Sequence, residues 1–261
     1  MSDIQASTAW FDPVAFYIGP LPIRWYALAY LSCIFYGFAY AKYRYFPRHQ
    51  LSLDDLDPLM NHLVIGLLAG GRLGHFLFYH QAVFFTDPLL ILKIWQGGMS
   101  FHGALIGIGA ALLMFSWRYR YNYWLLTDFV CLVAPFGIFW GRLANFINGE
   151  LVGRVTDASW GVIFPHIDQL PRHPSQLYEA GTEGLFLFIV LNLLDKKNPI
   201  PGMISASFLM MYGLIRYWMQ MYRVPEYWTN GPILGMDTGQ ILSVLMVSFG
   251  LVLLVRLKYK Q

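Results

Sequence analysis

The sequence predicts an all-α, polytopic membrane protein with about seven transmembrane helices and a small extracytoplasmic cap. Three observations carry that prediction. Of 261 residues, 57% are hydrophobic and only 13% are charged, where soluble domains carry about a quarter charged residues. The apolar residues gather in seven runs near the roughly 20 residues that a spanning helix needs. The basic residues between those runs alternate onto one side of the chain's path.

The seven runs are 22–41, 58–80, 99–117, 124–147, 177–194, 201–223 and 238–255. Several contain Gly, Pro or a charge, which a membrane tolerates where protein or a wet cavity surrounds them. Lys42, Arg44 and Arg48 follow the first run, Arg118 and Arg120 the third, Lys196 and Lys197 the fifth, and Arg256, Lys258 and Lys260 the seventh. Ten of the 18 basic residues thus share one side. By the positive-inside rule that side is cytoplasmic, which puts the C-terminus inside and the N-terminus outside.

The chain reads as one integral membrane domain over residues 1–261. Segment 81–98 holds an apolar stretch too short to span, which suits an interfacial position. Segment 148–176, with Gly149, Pro165, Pro171 and Pro174, is the longest connection and suits an outer loop or small folded cap. No basic stretch precedes the first apolar run, which argues against a cleaved signal peptide. Cys33 and Cys131 lie in apolar runs and read as small core residues, not as a disulfide or metal pair. A net charge of +3 is too small and scattered for a nucleic-acid binder. No metal motif, nucleophile elbow or phosphate-binding loop occurs.

Four arginines, Arg72, Arg142, Arg216 and Arg223, fall inside the predicted spans. Each costs about 2.5–3.5 kcal/mol at a helix centre. Carboxylate partners or headgroup contacts can compensate one such residue. Four of them, with few carboxylates in the apolar runs, point instead to an anionic ligand such as lipid phosphate. Arg216, Gln220 and Arg223 follow at i, i+4 and i+7, a spacing that predicts one shared helix face.

Residues 141–154 pack Arg142, Asn145, Asn148, Glu150, Gly153 and Arg154 into a membrane exit. Glycine admits close approach of backbone to a ligand, and arginine grips phosphate through a planar fork. His102 opens the third run between glycines and suits proton transfer near neutral pH. Residues 172–179, Arg-His-Pro-Ser-Gln-Leu-Tyr-Glu, read as an outer loop entering a helix, with His173 in a structural role. Trp25 and Tyr26 stand where interface aromatics anchor a span.

These blocks resemble the prolipoprotein diacylglyceryl transferase family. Gly141 to Gly153 matches the family's Gly-Arg-x-(Gly/Ala)-Asn-Phe-x-Asn-x-Glu-x-x-Gly signature, and His102 to Gly107 matches its His-Gly-(Gly/Ala)-Leu-Ile-Gly motif. Arg172 to Glu179 and Arg223 to Glu226 match two further motifs. The resemblance implies transfer of the diacylglyceryl group of phosphatidylglycerol to a prolipoprotein lipobox cysteine, with glycerol-1-phosphate released and no cofactor or metal used. It implies critical roles for His102, Arg142 and Arg223 and important ones for Tyr26, Asn145 and Gly153; the expected substrate-binding set is Tyr26, Arg142, Asn145, Asn148, Glu150 and Gly153. It also implies the bacterial inner membrane, with the site towards the outer face.

Three positions depart from the family pattern. Gln220 replaces a Glu between the two arginines of the sixth run, His75 replaces a Tyr, and Asp237-Thr238 replaces Ser-Met. A transporter would also want intramembrane arginines. It would want them near the midplane on paired broken helices, a pattern the sequence lacks.

Overall fold

The computed structural model describes residues 7–8, 12–79, 87–93, 98–225, 232 and 234–259. Each of the seven apolar runs falls on a helix: α1 (Trp25–Tyr40), α2 (Leu56–Tyr79), α3 (Phe101–Tyr119), α4 (Tyr123–Asn148), α5 (Ser175–Asp195), α6 (Met203–Met219) and α7 (Thr238–Lys258). Helices α4, α5 and α7 are long and apolar enough to cross a membrane.

Local chemistry sets several helix ends. Ser100 caps α3, its hydroxyl accepting from the Gly103 amide at 3.2 Å. Asp237 and Gln240 form a reciprocal capping box on α7, at 2.9 and 3.2 Å. The Asp237 departure therefore supplies a side-chain oxygen that does a cap's work. Helix α5 is α-helical to Glu179, π-helical over Ala180–Phe186, and α-helical again from Leu187.

Strands accompany the helices, which the all-α reading did not include. Val14–Ile18 (β1) and Leu21–Arg24 (β2) form an antiparallel hairpin around Gly19, whose φ is +58°. In the predicted cap, Val162–Ile163 (β3) pairs antiparallel with Pro171–Arg172 (β4) and parallel with Ser7–Thr8. Strands of two to five residues leave too few alternating positions for a periodic signal. In the expected interfacial segment, Pro88–Leu92 forms a 3-10 turn, while 80–86 and 94–97 lie outside the described residues.

The chain forms two compact units, Met1–Gly37 with Val130–Gln261, and Phe38–Phe129. In the second unit α2 packs on α3 through glycines. A Cβ on Gly70 would stand 2.6 Å from the Gly107 Cα, so the two backbones meet directly. Phe115, fully buried, stacks on Tyr119 at 4.3 Å. An open apolar groove of about 820 Å³ runs beside the crossing, walled by Ile65, Leu73, Leu77, Ile106 and Met114. None of the predicted site residues whose side chains are described lines it.

In the first unit Tyr36 stacks on Phe136 at 4.2 Å and meets Phe188 edge-on. These contacts join α1, α4 and α5. Gly184 brings α5 against α4: a Cβ there would lie 2.7 Å from the Phe139 Cα. That approach is one helical turn before Arg142. Neither Cys33 nor Cys131 is in a disulfide among the described residues.

Candidate active site

The sequence-predicted residues of the first unit form two clusters, both reached from α4. The first is ionic. Glu179 and Glu183, four residues apart on α5, are fully buried. Glu179 Oε2 meets Arg142 Nε at 2.8 Å, and its Oε1 meets Nη1 of Arg216 at 3.0 Å and of Arg223 at 3.1 Å. Glu183 takes Arg142 Nη2 at 3.2 Å and Arg216 Nη1 at 3.4 Å. Among the described residues, three guanidinium groups thus share these two carboxylates.

The apolar runs hold few carboxylates, yet three of the four arginines pair with carboxylates. Two glutamates hidden in the apolar run of α5 supply them. The signal was present, because Glu179 and Glu183 stand at i and i+4 and share a helix face. Burial of unpaired charge is prohibitive, so the pairing is what permits the cluster at all.

Arg142 keeps capacity for a ligand. Its Nε and Nη2 are engaged, whereas Nη1 makes no hydrogen bond among the described residues. The Arg142 side chain is 17% exposed, against 6% for Arg223. Arg216, which the sequence reading left out of the site set, is engaged among the described residues only through Nη1 and is 16% exposed.

The expected single helix face of Arg216, Gln220 and Arg223 is not what forms. Helix α6 ends at Met219, a 3-10 turn carries Gln220 to Tyr222, and Arg223 is extended. Arg223 joins the cluster from this extended strand. Gly153 makes the placement possible. It bridges Arg223 and donates to His173 O at 3.2 Å, and a Cβ there would lie 2.7 Å from Tyr222 O. Arg154 adds a bond from its Nε to Arg223 O at 2.7 Å. Gly153 therefore acts through backbone packing. Gln220 is buried over Gly239, and its amide oxygen has no hydrogen-bond partner among the described residues.

The second cluster is neutral except for one carboxylate. Tyr26 donates to Glu150 Oε2 at 3.1 Å, and Asn145 donates to the Tyr26 hydroxyl. Asn145 and Asn148 reach Glu150 at 3.4 and 3.3 Å. The chain turns back at Gly149, whose φ is +67°, so Glu150 can face the helix it has just left. Gln176 holds the Glu150 carbonyl at 2.7 Å. Arg142, Asn145 and Asn148 are spaced by three along α4, and this spacing links the two clusters.

Segment 148–176 is tied by Arg172, which meets Asp168 at 2.5 Å and Gly153 O at 3.0 Å. The guanidinium holds the Asp168 carboxyl below its ordinary range, and the carboxylate raises Arg172 in turn. His102 lies in the first turn of α3 in the other unit, and its side chain lies outside the described residues. Among the described residues no group of His, Cys, Asp and Glu is arranged to hold a metal.

The arrangement offers an anion a fixed, carboxylate-backed guanidinium beside a set of oriented neutral donors. The family model for prolipoprotein diacylglyceryl transferase matches residues 13–256. A phosphatidylglycerol–prolipoprotein diacylglyceryl transferase of Aeromonas hydrophila is 43% identical over 255 residues, covering 96% of this chain and 91% of that protein. Proteins of the same name from Rhodospirillum centenum (46% identical; 94% and 91% covered) and Rhodopseudomonas palustris (44%; 94% and 89%) are similar over nearly their whole lengths. The chain belongs to the prolipoprotein diacylglyceryl transferase family.

Proposed function

We propose that this chain transfers the diacylglyceryl group of phosphatidylglycerol to the lipobox cysteine of a prolipoprotein, the first step of lipoprotein maturation. It does so as a seven-span protein of the bacterial inner membrane, N-terminus outside, C-terminus cytoplasmic, with the site towards the outer face. Segment 148–176 is its outer cap and 81–98 its interfacial segment.

One observation carries the site assignment. Arg142 is held on one edge by buried carboxylates while its Nη1 remains available. The phosphate of the lipid binds at Nη1, supported by the positive charge of Arg216 and Arg223 nearby. The lipobox thiol, of ordinary pKa about 8.5, loses its proton to His102. The sulfur attacks the glycerol carbon that carries the phosphate, a C–S bond forms, and the C–O bond to phosphate breaks. Negative charge gathers on the departing glycerol-1-phosphate, where Arg142 and Arg223 stabilise it. Tyr26, Asn145 and Asn148 supply neutral hydrogen bonds to the headgroup, and Glu150 orients them and accepts from a glycerol hydroxyl. Gly153 holds Arg223 in place. The lipid tails lie along the apolar helices.

The test uses the purified chain, phosphatidylglycerol vesicles and a lipobox peptide, with mass spectrometry of the peptide and assay of released glycerol phosphate. A diacylglyceryl mass gain on the cysteine, absent with Arg142→Ala, is the expected result. Thiol modification by His102→Gln at the wild-type rate removes the histidine from the base role.

A further inference from the structure

The β1–β2 hairpin has no place in the chemistry above, and its surface is unusual. Between Asp12 and Arg24 the sequence contains no charged residue. At the hairpin tip Phe16, Tyr17, Ile18 and Leu21 are 47, 65, 62 and 60% exposed. Three of these are consecutive in β1, so both faces of the ribbon carry apolar side chains, and no single partner surface within the chain covers them. A Cβ at Gly19 would meet nothing within 4 Å. A two-stranded ribbon is marginal in water, and a cluster of this kind marks a contact surface.

The base of the ribbon is fastened to the first helix. Trp25 donates its backbone amide to Pro13 O at 3.2 Å and its indole N–H to Asp12 O at 3.1 Å. Helix α1 begins at that residue, and its exposed side chains continue the apolar surface through Tyr30, Leu31 and Phe35. The next residue, Tyr26, donates to Glu150. Five residues of strand reach about 16 Å, and an interfacial apolar face buries about 5–10 Å into the headgroup boundary.

We propose that this hairpin inserts into the outer-leaflet interface of the membrane, and that its immersion sets the height of Tyr26 and the Asn145–Glu150 cluster relative to the lipid headgroups. The occupant is lipid. The uncharged tip, apolar on both faces and continuous with the exposed side of a spanning helix, fits the boundary of headgroup and acyl chain. The inference rests on the proposed topology, with residue 25 at the outer face.

The experiment places single nitroxide labels at Tyr17→Cys and, separately, Ile18→Cys in the full chain carrying Cys33→Ala and Cys131→Ala. The protein is in phosphatidylglycerol-containing nanodiscs. Collision with oxygen and with a nickel chelate is compared with labels at Phe35→Cys on α1 and Lys197→Cys in a polar connection. The expected result is nickel access several-fold below that of Lys197, oxygen access approaching that of Phe35, and no change on adding lipobox peptide. Nickel access equal to that of Lys197 overturns the proposal by placing the hairpin in water. Shielding from both agents overturns it by showing a protein cover, such as a second copy. Immersion that appears only with peptide overturns it in favour of a substrate-docking strand. Transferase turnover on the same nanodiscs separates the two readings: an active sample with a water-exposed label sinks only the hairpin proposal, and an inactive one with an immersed label sinks only the proposed function.

Discussion

Arg72 and Arg142 occupy the same tripeptide, Gly-Arg-Leu, on two apolar helices, and the fold uses them in opposite ways. Arg72 spends its fork on backbone. Nε and Nη1 donate to the carbonyls of Ile91 and Gly98, and Nη2 to those of Leu90 and Lys93, at 2.7–3.1 Å. Its guanidinium also lies 4.9 Å from the Phe76 ring centroid. It stitches the turn at 87–93 to α2. Arg142 is held by carboxylates along one edge and keeps Nη1 for something else. A guanidinium saturated by carbonyls is a staple, and one braced by carboxylates with a donor left over is a receptor.

The sharpest test of that contrast is the pair Arg72→Gln and Arg142→Gln. Loss of a positioned donor for developing charge costs about 10²–10³ in rate, so Arg142→Gln is expected to lower kcat by that order. Its stability should change little, because Arg216 and Arg223 still balance Glu179 and Glu183. Arg72→Gln should show the reverse, with melting temperature lowered and turnover by the folded fraction near wild type. Kinetics and thermal unfolding on the two variants decide it. A stability loss without a kinetic one at Arg142 breaks the distinction.

The carboxylate half of the comparison is tested next. Glu179→Gln leaves three arginines facing one carboxylate in a buried site. Breaking a buried pair costs about 3–5 kcal/mol, so this variant should unfold more readily than Arg142→Gln despite the smaller change in shape. The double variant Glu179→Gln with Arg216→Gln removes one of those three arginines and should recover part of the stability. Chemical denaturation in detergent reads both. No recovery in the double variant means that the cluster's charge balance is not what stabilises it.

The contrast also shows where sequence reading stops. The helices were legible because an apolar run of about 20 residues admits few other structures. Arg142, Asn145 and Glu150 were legible through a dense polar motif. The opposite fates of Arg72 and Arg142 were not. Both read as costly charges, and the deciding partners lie far along the chain: carbonyls near residue 90 for one, Glu179 and Glu183 for the other. Pro174 and Ser175 read as an ordinary helix start, and nothing in that pattern marks Glu179 as a partner for distant arginines. The π-helical stretch after it has no sequence signature. Arg223 was read as helical, because nothing in its i, i+7 relation to Arg216 signals that the helix ends at Met219. The β1–β2 hairpin was missed for the opposite reason: its uncharged strands merge into the first apolar run.

Arg172 gives the smallest test and a third case. It is braced by a carboxylate, like Arg142, and donates to a backbone carbonyl, like Arg72, but in the connection 148–176 instead of on an apolar helix. Asp168 is held below its ordinary range by this arginine. A group whose folded pKa is lowered contributes stability above its unfolded pKa and loses it as pH falls through the folded value. The Arg172–Asp168 pair should therefore be intact at neutral and mildly acidic pH and fail only below the usual carboxylate range. Exposed pairs contribute little, so Asp168→Asn should barely move the melting temperature at pH 7. It should remove only the acid-side component of the unfolding profile. A large loss at pH 7 would mean that the pair holds Gly153, and through it Arg223, far more firmly than its exposure implies. The receptor arginines would then depend on the cap as much as on the buried glutamates.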